Sequence, residues 1–126
     1  MNTPVSLEIA KLLKEKGFNE EVRDYYEEKD GTFYYSQYFR DNISINEKHN
    51  GFVTAPTIAE VVMWLYEKHG IWINVTSDYN RFRTWQYRIT NRNKMIGKDG
   101  IIYNEGFNSP TKAYSQAIEY TLKNLI

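Results

Sequence analysis

The sequence contains no cysteine among its 126 residues. Disulfide bonds, thiolate nucleophiles and cysteine-ligated zinc are therefore excluded. Only two histidines are present, His49 and His69, and neither belongs to a His-x-x-x-His or His-x-x-Glu-His pattern. Because a zinc site built without cysteine needs such clustered ligands, the sequence predicts no metal site, and no other cofactor is indicated. We expect His69 to be protonated at the end of a helix, where it complements the helix dipole.

The chain also lacks an excess of charge, since 16 Lys and Arg residues balance 16 Asp and Glu residues. Proteins that bind nucleic acids or membranes through bulk electrostatics are normally more basic. No apolar run is long enough to span a bilayer, and the first residues do not match a signal peptide. The sequence therefore predicts a cytoplasmic protein that has no membrane partner.

Patterns typical of catalytic sites are missing as well. Neither a glycine-rich phosphate loop nor a Gly-x-Ser-x-Gly elbow occurs in the sequence. The adjacent carboxylate pairs Glu20-Glu21 and Glu27-Glu28 would point to opposite faces of a strand, so they do not predict a two-carboxylate cleft. We therefore expect that the protein is not an enzyme.

The stretch that organises the chain runs from Pro56 to Thr76. Thr57 and Glu60 match a capping box, and a broad apolar arc follows at the spacing of a buried helix. The arc consists of Ile58, Val61, Val62, Met63, Trp64, Leu65 and Tyr66. Gly70 is suited to end this helix, and the apolar residues at every second position of Ile71–Val75 predict a strand.

The N-terminal part predicts one helix and two strands. Thr3 and Pro4 are suited to begin the helix as N-cap and first helical residue, and Gly17 is suited to end it. Strands are predicted at Val22–Glu27 and Thr32–Phe39, on either side of a turn that contains Asp-Gly.

The C-terminal part predicts two more strands, at Thr84–Asn91 and Ile101–Tyr103, and a last helix that begins at Ser109-Pro110. We therefore predict a single α+β domain over residues 1–126, with helices packed on one face of a mostly antiparallel sheet. It consists of an N-terminal α-β-β unit (1–40), a connector (41–55) and a C-terminal α-β-β-β-α unit (56–126). Whether the N-terminal strands join the C-terminal sheet is left open.

Aromatic residues are unusually frequent, at 16% of the chain. They are densest between Tyr25 and Phe39, where one face of a sheet cannot bury them all, and exposed Tyr-rich surface is typical of protein interfaces. The candidate partner-binding residues are Tyr25, Tyr26, Tyr34, Tyr35 and Tyr38. We expect at least two of them to be exposed and to bind a protein partner or a second copy in a homodimer. The alternative is a sheet covered by another element.

A locally basic segment between residues 81 and 98 indicates a different function. Its candidate nucleic-acid-binding residues are Arg81, Arg83, Arg88, Arg92 and Lys94. Arginines beside Trp85 and Tyr87 suit phosphate contact combined with base stacking. Strand alternation also predicts a purely structural arrangement, in which the two aromatic residues face the core and the arginines face solvent.

From Thr57 onward, the order helix, three strands, helix resembles the topology of the double-stranded RNA-binding domain. That family holds phosphates with a lysine cluster at the start of its last helix, whereas Ser109–Lys112 contains a single lysine. The loop Ser77–Phe82 lacks the Gly-Pro-x-His pattern of the family. The resemblance therefore implies a topology without the family's binding chemistry.

Over most of its length, the chain resembles small uncharacterised proteins carried by bacterial phages and mobile elements. The resembling motifs are Ser6–Phe18, Ala55-Pro-Thr57 and the closing Ala-x-x-x-Ala-Ile helix at Ala113–Ile118. No activity is attached to that group, so the resemblance implies a biological context only. We therefore predict a non-enzymatic protein-interaction or accessory module, with nucleic-acid binding through the basic segment as the alternative.

Overall fold

The computed structural model describes residues 1–35, 51–78 and 84–126, in which three helices and six strands are present. The helices are α1 (Leu7–Glu15), α2 (Ile58–His69) and α3 (Pro110–Asn124). The strands are β1 (Tyr25–Glu27), β2 (Phe33–Tyr34), β3 (Phe52–Thr54), β4 (Ile71–Asp78), β5 (Thr84–Asn91) and β6 (Ile102–Phe107). The predicted α+β class is confirmed, but the strands form two separate antiparallel sheets, with the orders β2-β1-β3 and β4-β5-β6.

The chain divides into two compact units. The N-terminal unit comprises Pro4–Thr57, and the C-terminal unit comprises Met1–Thr3 together with Ile58–Ile126. Among the described residues, the strands β1, β2 and β3 pair with each other and not with β4, β5 or β6, so they do not join the C-terminal sheet, a question that the sequence left open.

Helix α1 begins at Leu7 because the Ser6 hydroxyl accepts a hydrogen bond from the Ile9 amide at 3.3 Å. Its buried residues are Ile9, Ala10 and Leu13. Gly17, with a φ of +84°, follows the helix where the sequence predicted its end. The next residue, Phe18, is fully buried.

The predicted start of α1 at Thr3 and Pro4 is wrong. Pro4 forms an isolated antiparallel bridge with Thr57, and the Val5 amide donates to the Pro56 carbonyl at 2.9 Å. The backbone before Ser6 is therefore paired with a distant extended segment and cannot adopt a helical turn.

The sheet of the N-terminal unit has β1 as its central strand. Strand β1 is shorter than the predicted Val22–Glu27. Strand β2 covers Phe33–Tyr34 of the predicted Thr32–Phe39, of which residues 36–39 lie outside the described part of the chain. The predicted connector at 41–55 contains β3, which pairs with the free edge of β1 through Tyr26↔Val53. A three-residue strand has too little periodicity to be recognised, so only its distant partner reveals it.

Helix α2 begins at Ile58, directly after Thr57, as predicted. Its first two amide groups donate to backbone carbonyls of residues 1–3: Ile58 to Thr3 at 2.9 Å and Ala59 to Met1 at 3.1 Å. These bonds satisfy donors that a helix start otherwise leaves unpaired. The helix ends at Gly70, whose φ of +69° lies in the left-handed region and whose amide donates to the Tyr66 carbonyl.

The sheet of the C-terminal unit has one buried face and one open face. The buried face includes Ile71, Ile73, Tyr87 and Ile89, and α2 and α3 pack against it. The opposite side, which we call the open face, carries Trp72, Asn74, Thr76, Gln86, Arg88 and Tyr103. The predicted α-β-β-β-α order and the packing of both helices on one face are therefore confirmed for this unit.

Two boundaries in the C-terminal unit show how well local signals work. Helix α3 begins at Pro110, with the Ser109 hydroxyl accepting from the Lys112 amide at 3.1 Å, as predicted. Strand β6 spans Ile102–Phe107 and is longer than the predicted Ile101–Tyr103. The difference arises because the pairing with β5 continues past an irregularity at Trp85/Gln86.

Candidate interaction surfaces

The predicted tyrosine set is divided by the register of β1 and β2. Tyr25 lies opposite Tyr34 on one face of the sheet, and Tyr26 lies opposite Phe33 on the other. Tyr34 is 37% exposed and Tyr35 is 72% exposed, so the expectation of at least two exposed tyrosines is confirmed. Tyr38 lies outside the described residues.

One face carries a tyrosine cluster, defined here as Tyr25, Tyr34 and Phe52. The rings of Tyr25 and Tyr34 are stacked with centroids 5.2 Å apart, and Phe52 meets Tyr25 edge-on at 5.5 Å. The Tyr34 hydroxyl donates to Glu27 at 3.1 Å, and this bond to a carboxylate raises the pKa of Tyr34. The exposed Tyr34 ring is thus held by the neighbouring Tyr25 ring and, at its hydroxyl group, by the hydrogen bond to Glu27.

The other two described tyrosines have different environments. The Tyr26 hydroxyl donates to the Val5 carbonyl at 2.7 Å, and burial raises the Tyr26 pKa, so this residue is half-buried and structural. Tyr35 packs edge-on against Phe33 at 5.1 Å and leaves most of its ring in solvent. The accessible members of the predicted set are therefore Tyr34, which is supported by Tyr25, and Tyr35, which is supported by Phe33.

Of the acidic residues near the tyrosine cluster, one is neutralised by a lysine and two contribute negative charge. Glu28 is paired with Lys14 at 3.0 Å and is largely neutralised. Hydrogen bonds from the Thr32 side chain and from the Thr32 amide lower the pKa of Asp30 and keep it ionised. Together with Glu27, Asp30 makes the surroundings of Tyr34 mildly negative.

Of the described candidate residues of the basic segment, Arg88 lies on the open face and Arg92 at its edge, whereas Lys94 lines a different depression with Ile71 and Leu125. Arg88 is exposed on β5, whereas its neighbour Tyr87 is buried. The structural prediction for this strand, with Tyr87 inward and the arginine outward, is therefore confirmed at these two positions. Arg92 and Lys94 follow at the end of the strand, and Arg81 and Arg83 lie outside the described residues.

Two exposed aromatic residues of the open face were missed by the sequence reasoning. Trp72 is 42% exposed and Tyr103 is 47% exposed. The signal for Trp72 was present, because it alternates with the buried Ile71 and Ile73 and so must face the other way. Tyr103 could not be assigned to a face before the length and register of β6 were known.

A cation and two rings adjoin each other at the edge of the open face. The Arg92 guanidinium lies 5.2 Å from the centre of the Tyr66 ring. Tyr66 in turn meets Trp72 edge-on with centroids 5.5 Å apart. Met63, Tyr66 and Trp72 line an open depression of about 450 Å³.

His69 does not have the electrostatic environment that the sequence predicted. Its ring packs edge-on against the Trp64 ring at 4.9 Å, and burial lowers the pKa of His69 below its ordinary 6.5. The neutral imidazole is therefore favoured in the folded state, contrary to the expected protonated cap. Within residues 1–35, 51–78 and 84–126, no group of three or more His, Asp or Glu side chains could hold a metal ion.

This pKa shift predicts a pH dependence of stability. Because the folded-state pKa of His69 is lowered, the unfolded chain binds the proton more tightly, and stability is lost as the pH falls below 6.5. Denaturant melts at about pH 7.5 and 5.5 measure the loss. His69→Gln should lose less unfolding free energy over this interval than the parent protein, and an equal loss would contradict the assignment.

Comparison of the chain with models of protein families, with curated proteins and with solved structures found no match. Among the helices of the described part of the chain, none has the length and apolar character needed to cross a membrane.

Proposed function

We propose that the chain is a non-enzymatic protein-interaction module that binds its partner through Tyr34 and Tyr35. The observation that carries this proposal is the exposure of two neighbouring rings at the end of β2. Tyr34 stacks on Tyr25, and Tyr35 packs against Phe33, which lies on the other face of the sheet. A tyrosine that is already held in place loses little conformational freedom on binding, and it offers both apolar area and a hydroxyl group.

The charge near this surface favours a basic partner. Glu27 and Asp30 flank the exposed Tyr34 ring, while Lys14 neutralises only Glu28. Charges at the rim of an interface mainly accelerate association and discriminate between partners. The proposed partner is a second protein with a basic rim or a second copy of the chain, and a bacterial host is the setting that the resemblance to phage and mobile-element proteins implies.

Replacing Tyr34 and Tyr35 by Ser should weaken partner binding with little change in melting temperature. Tyrosine contacts at an interface are often worth more than about 1 kcal/mol each, so we expect a loss of at least about tenfold. The partner is first isolated on the immobilised protein from a nuclease-treated bacterial lysate, and self-association is measured separately by sedimentation over a concentration series.

A matched control comes from Tyr120 on α3, which is 37% exposed, the same fraction as Tyr34. Tyr120→Ser removes an equally exposed ring from the other unit and should leave partner binding unchanged. If Tyr120→Ser weakens binding as much as the double variant does, or if the double variant binds normally, Tyr34 and Tyr35 do not form the interface.

A further inference from the structure

We propose that the open face of the C-terminal unit binds single-stranded nucleic acid, with Trp72 and Tyr103 stacking on bases and Arg88 and Arg92 contacting phosphates. This site lies in the other compact unit and is independent of the protein-binding surface proposed above. Compared with the nucleic-acid binding predicted from the basic segment, the proposal specifies the face of the sheet, a single-stranded ligand and two stacking residues.

The sheet register places these groups within reach of one short strand of nucleic acid. Arg88 on the central strand is directly opposite Asn74 of β4 and Tyr103 of β6. Trp72 lies two positions from Asn74 on the same face, so it is a diagonal neighbour of Arg88, at a typical separation of about 7–8 Å. A cation thus stands between two exposed rings, a spacing that suits successive bases and the phosphate that joins them.

The row formed by Tyr103, Arg88 and Trp72 continues past the edge of the sheet. Trp72 contacts Tyr66, and Tyr66 carries the Arg92 guanidinium over its ring. The groups therefore follow each other in the order Arg92, Tyr66, Trp72, Arg88 and Tyr103, with the two neighbouring rings of Tyr66 and Trp72 between the two arginines. Interleaved rings and cations of this kind form the platforms on which proteins hold single strands without reading their sequence.

The cations of this row are not neutralised by the described part of the protein. Neither Arg88 nor Arg92 forms an ion pair with a described carboxylate. Glu105, on the same face of β6, accepts a hydrogen bond from the Tyr103 hydroxyl. Two guanidinium groups that no described carboxylate neutralises, beside exposed rings, complement a polyanion that also presents flat apolar surfaces.

The exposed rings favour a single strand over a duplex. Bases in a duplex are stacked on each other and cannot lie on Trp72 or Tyr103, whereas unpaired bases can. An acidic protein is the competing occupant, because Trp, Tyr, Met and Arg are also frequent at protein interfaces. The nucleic acid is preferred because Arg88 lies between the exposed rings of Trp72 and Tyr103, where a phosphate between two stacked bases would lie.

The test is a fluorescence-anisotropy titration of a labelled single-stranded oligonucleotide, about ten nucleotides of thymidine or uridine, with the full chain. With two phosphate contacts, the logarithm of the binding constant should fall against the logarithm of salt concentration with a slope of about −1.4. Arg88→Ala should reduce this slope by about 0.7. Trp72→Ala and Tyr103→Ala should each weaken binding about 5- to 150-fold, the range expected for a lost ring–base stack.

Matched controls lie on α3, the helix that packs on the opposite side of the sheet. Lys112→Ala and Tyr120→Ala remove an exposed cation and an exposed ring from that helix, and neither should alter the titration. Trp72→Phe retains a stacking ring and should restore most of the affinity that Trp72→Ala loses. Melting temperatures of all variants establish that each is folded.

Four results would overturn the proposal. These are no binding at low salt, equal losses for the control variants, duplex binding that is as tight as single-strand binding and unaffected by Trp72→Ala, and displacement of the oligonucleotide by a poly-glutamate peptide at equal charge concentration. The last result would assign the open face to an acidic protein. Normal oligonucleotide binding by the Tyr34→Ser/Tyr35→Ser variant would show that the two surfaces act independently.

Discussion

Replacing Leu65 by Ala should lower the free energy of unfolding by about 2–5 kcal/mol, the range for truncating a buried leucine. Leu65 is fully buried in α2, as is Val61 one helical turn before it. Alanine at this position would remove apolar contacts and leave a cavity that a close-packed core fills only in part. Denaturant melts of the parent and variant proteins measure the loss.

The same helix offers two control substitutions. Met63 is apolar but exposed, and Lys68 is charged and exposed, so Met63→Ala and Lys68→Ala should each change the unfolding free energy by about 0.5 kcal/mol or less. Met63→Ala tests whether burial, and not apolar character alone, decides the effect. Losses as large as that of Leu65→Ala at either position would refute the assignment of the buried face of α2.

Gly97→Ala should be the second strongly destabilising change, for reasons of backbone geometry. Gly97 has a φ of +64°, and an added Cβ would lie 2.6 Å from the Ile101 carbonyl oxygen and 2.7 Å from a side-chain carbon of Ile102. The left-handed conformation costs a non-glycine residue about 1–2 kcal/mol, and overpacking typically adds about 1–3 kcal/mol. We therefore expect a total loss of roughly 2–5 kcal/mol.

Gly106 separates these two contributions. It lies in the same unit and has a φ of +91°, but no atom would come within 4 Å of an added Cβ. Gly106→Ala should therefore show the conformational cost alone, about 1–2 kcal/mol. If both alanine variants unfold at the same denaturant concentration, the Cβ added at Gly97 does not clash with Ile101 and Ile102, and the expected overpacking cost is refuted.

Local sequence signals were sufficient to predict several helix and strand features and the outward position of Arg88. The start of α3 at Ser109-Pro110, the end of α2 at Gly70 and the alternation along Ile71–Val75 were each predicted correctly. Each of these features depends on residues a few positions apart, within which a cap, a left-handed glycine or a period of two is visible. The alternation along Thr84–Asn91 likewise placed Arg88 on the solvent side of β5.

The candidate sites depended on pairings that local signals do not contain. The register of β1 and β2 decided that Tyr34 stacks on Tyr25, whereas Tyr26 lies on the other face and donates to Val5. On the open face, the pairing of Arg88 with Tyr103 depends on residues fifteen positions apart. Which rings lie together could therefore be known only after the sheet was assembled.

The sequence by itself determined the class of the protein, the boundaries of α2, the start of α3 and the inward and outward sides of β4 and β5, because propensity, capping and periodicity act over a few residues. The tertiary structure alone decided the start of α1, the existence of β3, the division into two sheets and the composition of both proposed surfaces. Those features follow from backbone and ring contacts between residues far apart in the chain. Such contacts form only when the free energy of packing exceeds the entropy cost of closing the loop between them.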